Sequence, residues 1–380
     1  MARSPSTQAF GGVTGLRRSG LRSGIIGLGF VGAVHARAVA AAGGTLAAVA
    51  HTSHAGGAGG AAARLGAAWG APSAQALIES PDVDVVHICT PNHLHAPLAE
   101  AAIAAGKHVI CEKPLATSSG DAARLVAAAG AAGVVTGVPF VYRYYPTVRE
   151  ARARIASGTA GPVHLIHGSY LQDWLSTAED TNWRVDPALG GASRTFADIG
   201  VHWCDLVEFA TGHRIVALAA QVTTAVPERR SGGVARAVTT EDAATVLFRT
   251  DRGAIGSLVA SQITPGRKNR LWFSLDAANA SFAFDQELPE TLWVGGREAT
   301  TLLQRGAGTA AAEAQRYSVL PPGHPQGYQD CFNGLVADVY AAAAGDRPAG
   351  MPTFADGLRA ARLTEAVLAS ARAGTWVEVA

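Results

Sequence analysis

The sequence predicts a two-part α/β chain: a doubly wound parallel half, then a half built on a mostly antiparallel sheet. Three observations predict it. Between residues 22 and 141, short apolar strands alternate with helices in units of about 25 residues, which calls for crossover connections and a parallel sheet. Beyond Pro139, strand-like segments follow one another with one interrupting helix, the pattern of an antiparallel sheet. Within the first half, Lys107 to Ala116 runs apolar residues into Glu112-Lys113-Pro114. Pro114 lacks an N–H and stops a ladder, so two charges sit where a strand hands over to a loop. In an open α/β sheet that is the ligand-binding end.

The bulk numbers suit a globular protein. The chain has 380 residues, 48% hydrophobic and 16% charged, with 44 Gly. That is enough for two cores, divided here into a disordered tail at 1–21, a first domain at 22–141 and a second at 142–380. Net charge is 31 − 30 = +1, without the basic stripe that nucleic acid demands. Cys89, Cys111, Cys204 and Cys331 form no C-x-x-C pair, so buried thiols in a reducing, cytoplasmic compartment are expected rather than a disulfide frame or a metal site. The Arg17-Arg18 pair precedes no apolar signal block, and no apolar run reaches membrane-span length without Gly.

In chain order, Gly24 to Ile26 is the first strand, and Gly27-Leu28-Gly29-Phe30-Val31-Gly32 opens an Ala-rich helix. With so much Gly the bare G-x-G-x-x-G pattern is uninformative; its strand–turn–helix context carries it. Gly27 permits the tight turn, Gly29 close approach of a pyrophosphate, Gly32 close helix–strand packing, and the helix N-terminus faces the phosphates. The second strand, Leu46 to Ala50, ends at His51-Thr52-Ser53-His54. No acid is present there for a ribose 2′-hydroxyl and no Arg for a 2′-phosphate. Thr52 and Ser53 are left to meet either, with NAD preferred over NADP because no cationic side chain is near. A helix at Ser73–Ser80 and a strand at Val83–Cys89 follow. The strand ends at Thr90-Pro91-Asn92, and a helix holding His95 runs to Ala105. Asn92 serves either as that helix's N-cap or as a ligand contact. Val109–Cys111 is the next strand. Thr117 or Ser118 caps a helix through Ala129, and Val134–Val138 is the last strand of this half. The strand ends at Gly27, Thr90 and Glu112 should converge on one crevice.

The second half starts with Tyr142-Arg143-Tyr144-Tyr145-Pro146 and a helix at Thr147–Ala156. Strands are expected at Val163–Tyr170, Ile215–Thr223, Ala244–Phe248, Ala254–Gln262, Leu271–Leu275, Ser281–Phe284 and Thr291–Val294. A helix runs from Ala197-Asp198 to Ala210, two late helices at Tyr328–Ala344 and Phe354–Ala373 pack back onto the rest, and Glu228–Thr240 reads as a loop. Asp198 and His202 are i and i+4 on one helical face. A carboxylate beside an imidazole suits general acid–base work; a capping Asp with a satisfied core His is the alternative. Tyr170, Gln172, Trp174, Trp183 and Arg184 alternate rings with polar groups, as a sugar site does, and as an interface or capped sheet edge also does.

Taken together, the glycine turn, Thr90-Pro91-Asn92 with His95, Glu112-Lys113-Pro114, and Asp198 with His202 resemble the Gfo/Idh/MocA oxidoreductases over residues 22 to 380. Tyr170 to Trp174 and Phe354 to Gly357 look most like the levoglucosan, glycoside and sugar dehydrogenase branch. The resemblance implies a Rossmann domain, a large open second sheet that pairs copies into dimers or tetramers, and a cis Lys113–Pro114 bond. It places Phe30, Val31, Thr90, Pro91, Asn92, His95 and Glu112 at the cofactor. Lys113, Asp198 and His202 match the catalytic residues, with Tyr142, Arg143 and the aromatic stretch toward the substrate. Ala192-Ser193-Arg194 departs from the glycines common at that point. The implied reaction is hydride transfer to NAD, or NADP, from a secondary hydroxyl of a sugar, glycoside or cyclitol. In it His202, oriented by Asp198, takes the proton, and Lys113 holds the oxygen; Lys113 as the base is the alternative. Two further classes stay open: an NAD-dependent glycosidase or lyase working through transient oxidation, and a dinucleotide or sugar sensor.

Overall fold

The computed structural model describes residues 20–51, 58–306 and 310–380. Thr52, Ser53 and residues 1–19 of the expected tail lie outside the described residues.

The first sheet is built from β1 (Arg22–Ile26), β2 (Thr45–Ala50), β3 (Trp69–Gly70), β4 (Val85–Ile88), β5 (His108–Cys111) and β6 (Thr136–Gly137). Its order is β3-β2-β1-β4-β5-β6, and every pair is parallel. The connecting helices are α1 (Phe30–Ala41), α2 (Gly59–Leu65), α3 (Ala74–Glu79), α4 (His95–Ala104) and α5 (Ser119–Ala132). They cover both faces, so β4 is buried at every position and β1 at all but its first. That is why these strands read as unbroken apolar runs. The strand order reverses between β1 and β4, which opens the ligand crevice at their carboxyl ends. The last strand is shorter than the Val134–Val138 expected, because only Thr136 and Gly137 pair with β5.

After α6 (Pro146–Ala156) come β7 (Val163–Leu171), α7 (Pro187–Gly190), α8 (Val201–Thr211) and β8 (Ile215–Thr223). β9 (Glu228–Ser231) and β10 (Val234–Ala237) form a separate antiparallel hairpin where a loop was expected; the paired Gly232-Gly233, both at positive φ, make its turn. The strands β11 (Ala243–Thr250), β12 (Ile255–Ser261), β13 (Arg270–Ala277), β14 (Ser281–Asp285), β15 (Thr291–Gly295) and β16 (Thr300–Gln304) precede α9 (Ala312–Arg316), α10 (Tyr328–Ala343), α11 (Phe354–Ala373) and β17 (Val377–Glu378). The second sheet has nine strands in the order β16-β15-β14-β13-β7-β12-β11-β8-β17. All of its pairs are antiparallel except β7 with β12.

Among the described residues, helices pack on one face of this sheet and not on the other. β11 therefore alternates buried and exposed residues along its length. The other face presents Leu165, Leu247, Ile255, Val259, Trp293 and Leu302 to the exterior. The late helices tie the two sheets together, α10 against α1 and α11 against both α5 and β8. Thr353 and Asp356 form a capping box at the start of α11, and Gly374 ends it in the left-handed region. Among the described residues, no helix is long and apolar enough to cross a membrane.

Two glycines of the β1–α1 turn are required sterically. Gly27 has φ +97°, and a Cβ there would stand 2.3 Å from the Cys89 carbonyl oxygen; a Cβ on Gly32 would stand 2.2 Å from the oxygen of Gly27. Gly27→Ala is expected to cost about 2–4 kcal/mol in urea unfolding, since strain and a backbone clash add. Unchanged stability would mean that the turn is built differently.

Candidate active site

The carboxyl ends of β1, β4 and β5 do meet, and the Lys113–Pro114 bond is cis. Lys113 extends from this edge into the second half. Its Nζ donates to the Asp198 carbonyl at 2.9 Å and to Asp198 Oδ1 at 2.5 Å. Asp198 Oδ2 accepts from Gln262 Nε2 at 2.7 Å, and Arg184 Nε stands 3.3 Å from Oδ1. Burial opposes ionisation of Asp198, but the Lys113 and Arg184 cations and the Lys113 hydrogen bond hold it well below the carboxylate range.

Asp198 lies in a π-helical turn, Phe196–Gly200, that leads into α8. Such turns cluster at functional sites. The expected Asp198–His202 contact is corrected here. They share a helix, but the carboxylate oxygens are taken by Lys113, Gln262 and Arg184. His202 instead sits in an aromatic cage, its ring centroid 5.6 Å from Phe140, 5.1 Å from Tyr142 and 6.4 Å from Tyr170. Its Nδ1 is buried and makes no hydrogen bond with the described residues, which leaves Nε2 for chemistry. Burial, then the Lys113 charge, pushes the imidazole down to about 3, so His202 is neutral at working pH.

A polar network continues from Asp198. Gln262 reaches Gln172 Oε1 at 3.4 Å, which also accepts from Trp174 Nε1 at 2.8 Å. Gln172 Nε2 and the Tyr170 hydroxyl both donate to Asn269 Oδ1 at 2.7 Å, and the Tyr170 and Tyr142 hydroxyls are 2.5 Å apart. Gln262 and Asn269 were not expected. Gln262 arrives because β7 and β12 are parallel neighbours that end together, and Asn269 because β13 starts antiparallel beside the end of β7, with Arg270 opposite Leu171. Trp183 stacks under the Arg184 guanidinium, 4.3 Å from ring centroid to Cζ.

Arg143 is a correction. It does not face Lys113; it is buried in a bidentate pair with Asp205 and a 2.7 Å bond to Asp356. This ties α8 to α11, so its charge is spent inside the fold. Asn92 is not a helix cap: it opens a 3-10 turn, Leu94 is the N-cap of α4, and the Asn92 Nδ2 donates to the Gly190 carbonyl at 2.8 Å. It fastens the α7 loop to the crevice instead. His95 bridges two strand-end turns, with Nδ1 2.7 Å from the Pro114 oxygen and Nε2 2.9 Å from that of Thr90. The unexpected Ser193-Arg194 pair also has a structural use. Glu241 accepts from Ser193 Oγ and from the backbone N–H of Arg194 and Phe196, which caps the start of the Asp198 turn. Arg194 and Arg229 both pair with the buried Asp242 beneath it.

The glycine turn fits a dinucleotide. A Cβ on Gly29 would meet nothing within 4 Å, so that residue fronts open space. Gly29 is the N-cap of the twelve-residue α1 and makes no side-chain capping bond, so the orphan N–H groups are available to a phosphate. Phe30 is exposed beside it. Among the described residues no cluster suits a metal ion.

Residues 21–140 match the oxidoreductase family with an NAD-binding Rossmann fold, and residues 148–282 match the GFO/IDH/MocA C-terminal domain. The levoglucosan dehydrogenase of Pseudarthrobacter phenanthrenivorans is 31% identical over 94% of this chain and 98% of its own length. A structure of levoglucosan dehydrogenase in complex with NADH and L-sorbose superposes with a TM-score of 0.88 at 31% identity, covering 95% of this chain and 99% of that one. An inositol dehydrogenase homolog from Azotobacter vinelandii complexed with NAD+ gives 0.85 at 28% identity, covering 94% of this chain and 97% of that one.

The caged, neutral His202 links folding to pH. Its pKa is lower folded than unfolded, so the unfolded chain binds the extra proton. Stability is therefore full above about pH 6.5 and falls as pH drops toward 3. Lowering pH from 7 to 5 should cost about 2 kcal/mol through this group, and His202→Phe should flatten that part of the urea-midpoint profile. An identical profile in the variant would show that His202 is not buried as a neutral ring.

Proposed function

The chain belongs to the GFO/IDH/MocA oxidoreductase family, with an NAD-binding Rossmann fold in its N-terminal half, and from that premise we propose that it transfers hydride between NAD and a secondary hydroxyl of a sugar, glycoside or cyclitol. The observation that carries this is the Lys113–Asp198 ion pair, which joins the cofactor edge of the parallel sheet to the polar network of the second sheet.

Bound NAD supplies the hydride acceptor. The chain's residues do the rest. Asp198 holds the Lys113 ammonium by one oxygen and by its own carbonyl. The ammonium's remaining N–H then donates to the substrate oxygen and stabilises the charge that grows there as the proton leaves. His202 Nε2 accepts that proton, with the aromatic cage fixing the ring in place of the carboxylate first expected. Gln172, Asn269, Trp174 and Trp183 offer amides and rings to further hydroxyls and to a sugar face. The sugar class is favoured by the levoglucosan and inositol dehydrogenase relatives. The direction of the reaction and NAD over NADP belong to the same proposal.

Lys113→Ala and His202→Ala are each expected to lower kcat/KM on the best sugar or glycoside of a panel by about a hundredfold or more, with the Kd for NAD within a few-fold. Wild-type turnover in both variants would sink the site assignment. We also infer that the open apolar face of the nine-stranded sheet pairs with a second copy. Ile255 and Leu165 lie side by side in its centre, with Leu247 on the next strand, and so wide a patch marks an interface. Leu247→Arg with Ile255→Arg should reduce the mass in sedimentation to one protomer; a wild-type chain that already sediments as a monomer overturns the inference.

A further inference from the structure

Behind the crevice runs a file of buried polar side chains from four separate elements. The Tyr340 hydroxyl of α10 is 2.5 Å from Ser23 Oγ on β1, and Ser23 Oγ is 3.1 Å from His87 Nε2 on β4. His87 Nδ1 is 2.9 Å from His35 Nδ1 on α1, and His35 Nε2 is 3.1 Å from Glu112 Oε1. The other Glu112 oxygen accepts the Lys113 backbone N–H at 3.2 Å. Ser23, His35 and His87 are wholly buried, Tyr340 is 2% and Glu112 9% exposed.

One hydrogen-bond direction gives every donor in the file an acceptor. An ionised carboxylate only accepts, so His35 carries a hydrogen on Nε2. In that direction His35 accepts at Nδ1, His87 donates from Nδ1 and accepts at Nε2 from Ser23, and Ser23 accepts from Tyr340. Every hydrogen points toward Glu112. With Glu112 protonated the order reverses, and the Tyr340 hydrogen has no acceptor within the file. Burial, and secondarily His35, keeps the His87 ring neutral. Burial works against the Glu112 charge, yet the His35 hydrogen bond and the nearby Lys113 hold its carboxyl below the usual range.

Resting on the reading of Lys113 as the group at the reacting oxygen, we propose that this file keeps Glu112 as a fixed negative charge that favours the cationic, oxidised nicotinamide over the neutral, reduced one, with His35 as its positioning residue. A nicotinamide that exchanges hydride beside Lys113 would lie within electrostatic reach of the adjacent Glu112. Without the Glu112 charge, Lys113 and Arg184 face Asp198 alone, and the site turns net positive against a positive ring. The other titratable groups that face Glu112 hold their charge steady near neutral pH. Burial pushes the Cys89 and Cys111 thiols and the Tyr328 hydroxyl up, and the His95 and His202 rings down.

The test is the ratio of Kd for NADH to Kd for NAD+, by calorimetry on the full chain across roughly pH 6 to 9. Glu112→Gln keeps the shape and should weaken NAD+ relative to NADH about tenfold, with a ratio flat in pH. His35→Ala leaves Glu112 buried without its donor, so its carboxyl titrates higher. The ratio should fall near neutral pH and recover as pH rises, and His35→Gln, which restores a donor, should return most of it. His87→Gln serves if His35→Ala does not fold. An unmoved ratio in Glu112→Gln, or a lowered Tm with an unmoved ratio in the His35 variants, overturns the proposal. A wild-type chain that binds neither form fails the dinucleotide reading itself and takes this proposal with it.

Discussion

The ion pair between Lys113 and Asp198 is the contact on which the candidate site depends. It crosses from the end of a parallel strand to a helix embraced by the other sheet, and it lies almost out of solvent. Each partner would be costly alone, because a buried charge without its counterpart carries a large desolvation penalty. Their pairing therefore fixes where the two halves of the chain meet. It also leaves the ammonium with a donor to spare and the carboxylate with an oxygen for Gln262.

The surroundings keep both partners in place through bonds to backbone groups, and the Arg184 cation adds a further charge on Asp198. Glu241 caps the turn that carries Asp198, and Asn92 holds the Gly190 carbonyl against the crevice. His95 staples the turns after β4 and β5. On the far side, the His35–His87 file reaches Glu112, the residue before Lys113. Lys113 thus stands between two buried networks, one in each half of the fold. His202 is held differently, by ring edges, and this is why it is kept neutral.

Burial pattern explains which parts of the fold were legible. The parallel strands are covered on both faces, so Ile25-Ile26, Val85-Val86 and Val109-Ile110 appear as apolar blocks bounded by Gly and Pro. The long strand at Ala243–Thr250 alternates, because one face meets helices and the other does not. The start of α5 was legible for a local reason, because the Ser118 side chain accepts from the Asp121 backbone N–H and caps it. The hairpin at Glu228–Ala237 was not, since its strands are only four residues each, β10 is exposed throughout, and Arg229, buried on β9, is not an apolar side chain.

At the site the division is sharper. The sequence by itself determined the glycine turn, the strand ends at Thr90 and Glu112, and the presence of Lys113, Asp198 and His202, because backbone sterics and strand termination act over a few neighbouring residues. Only the tertiary structure decided their partners. Spacing along a helix suggested Asp198 with His202, while the sheet edges delivered Lys113 and Gln262 to that carboxylate across 85 and 64 positions of chain. Arg143, polar and flanked by tyrosines, was drawn inward to Asp205 and Asp356. Such pairings depend on which strand lies beside which, and that order is set by packing over the whole chain rather than by any local stretch of it.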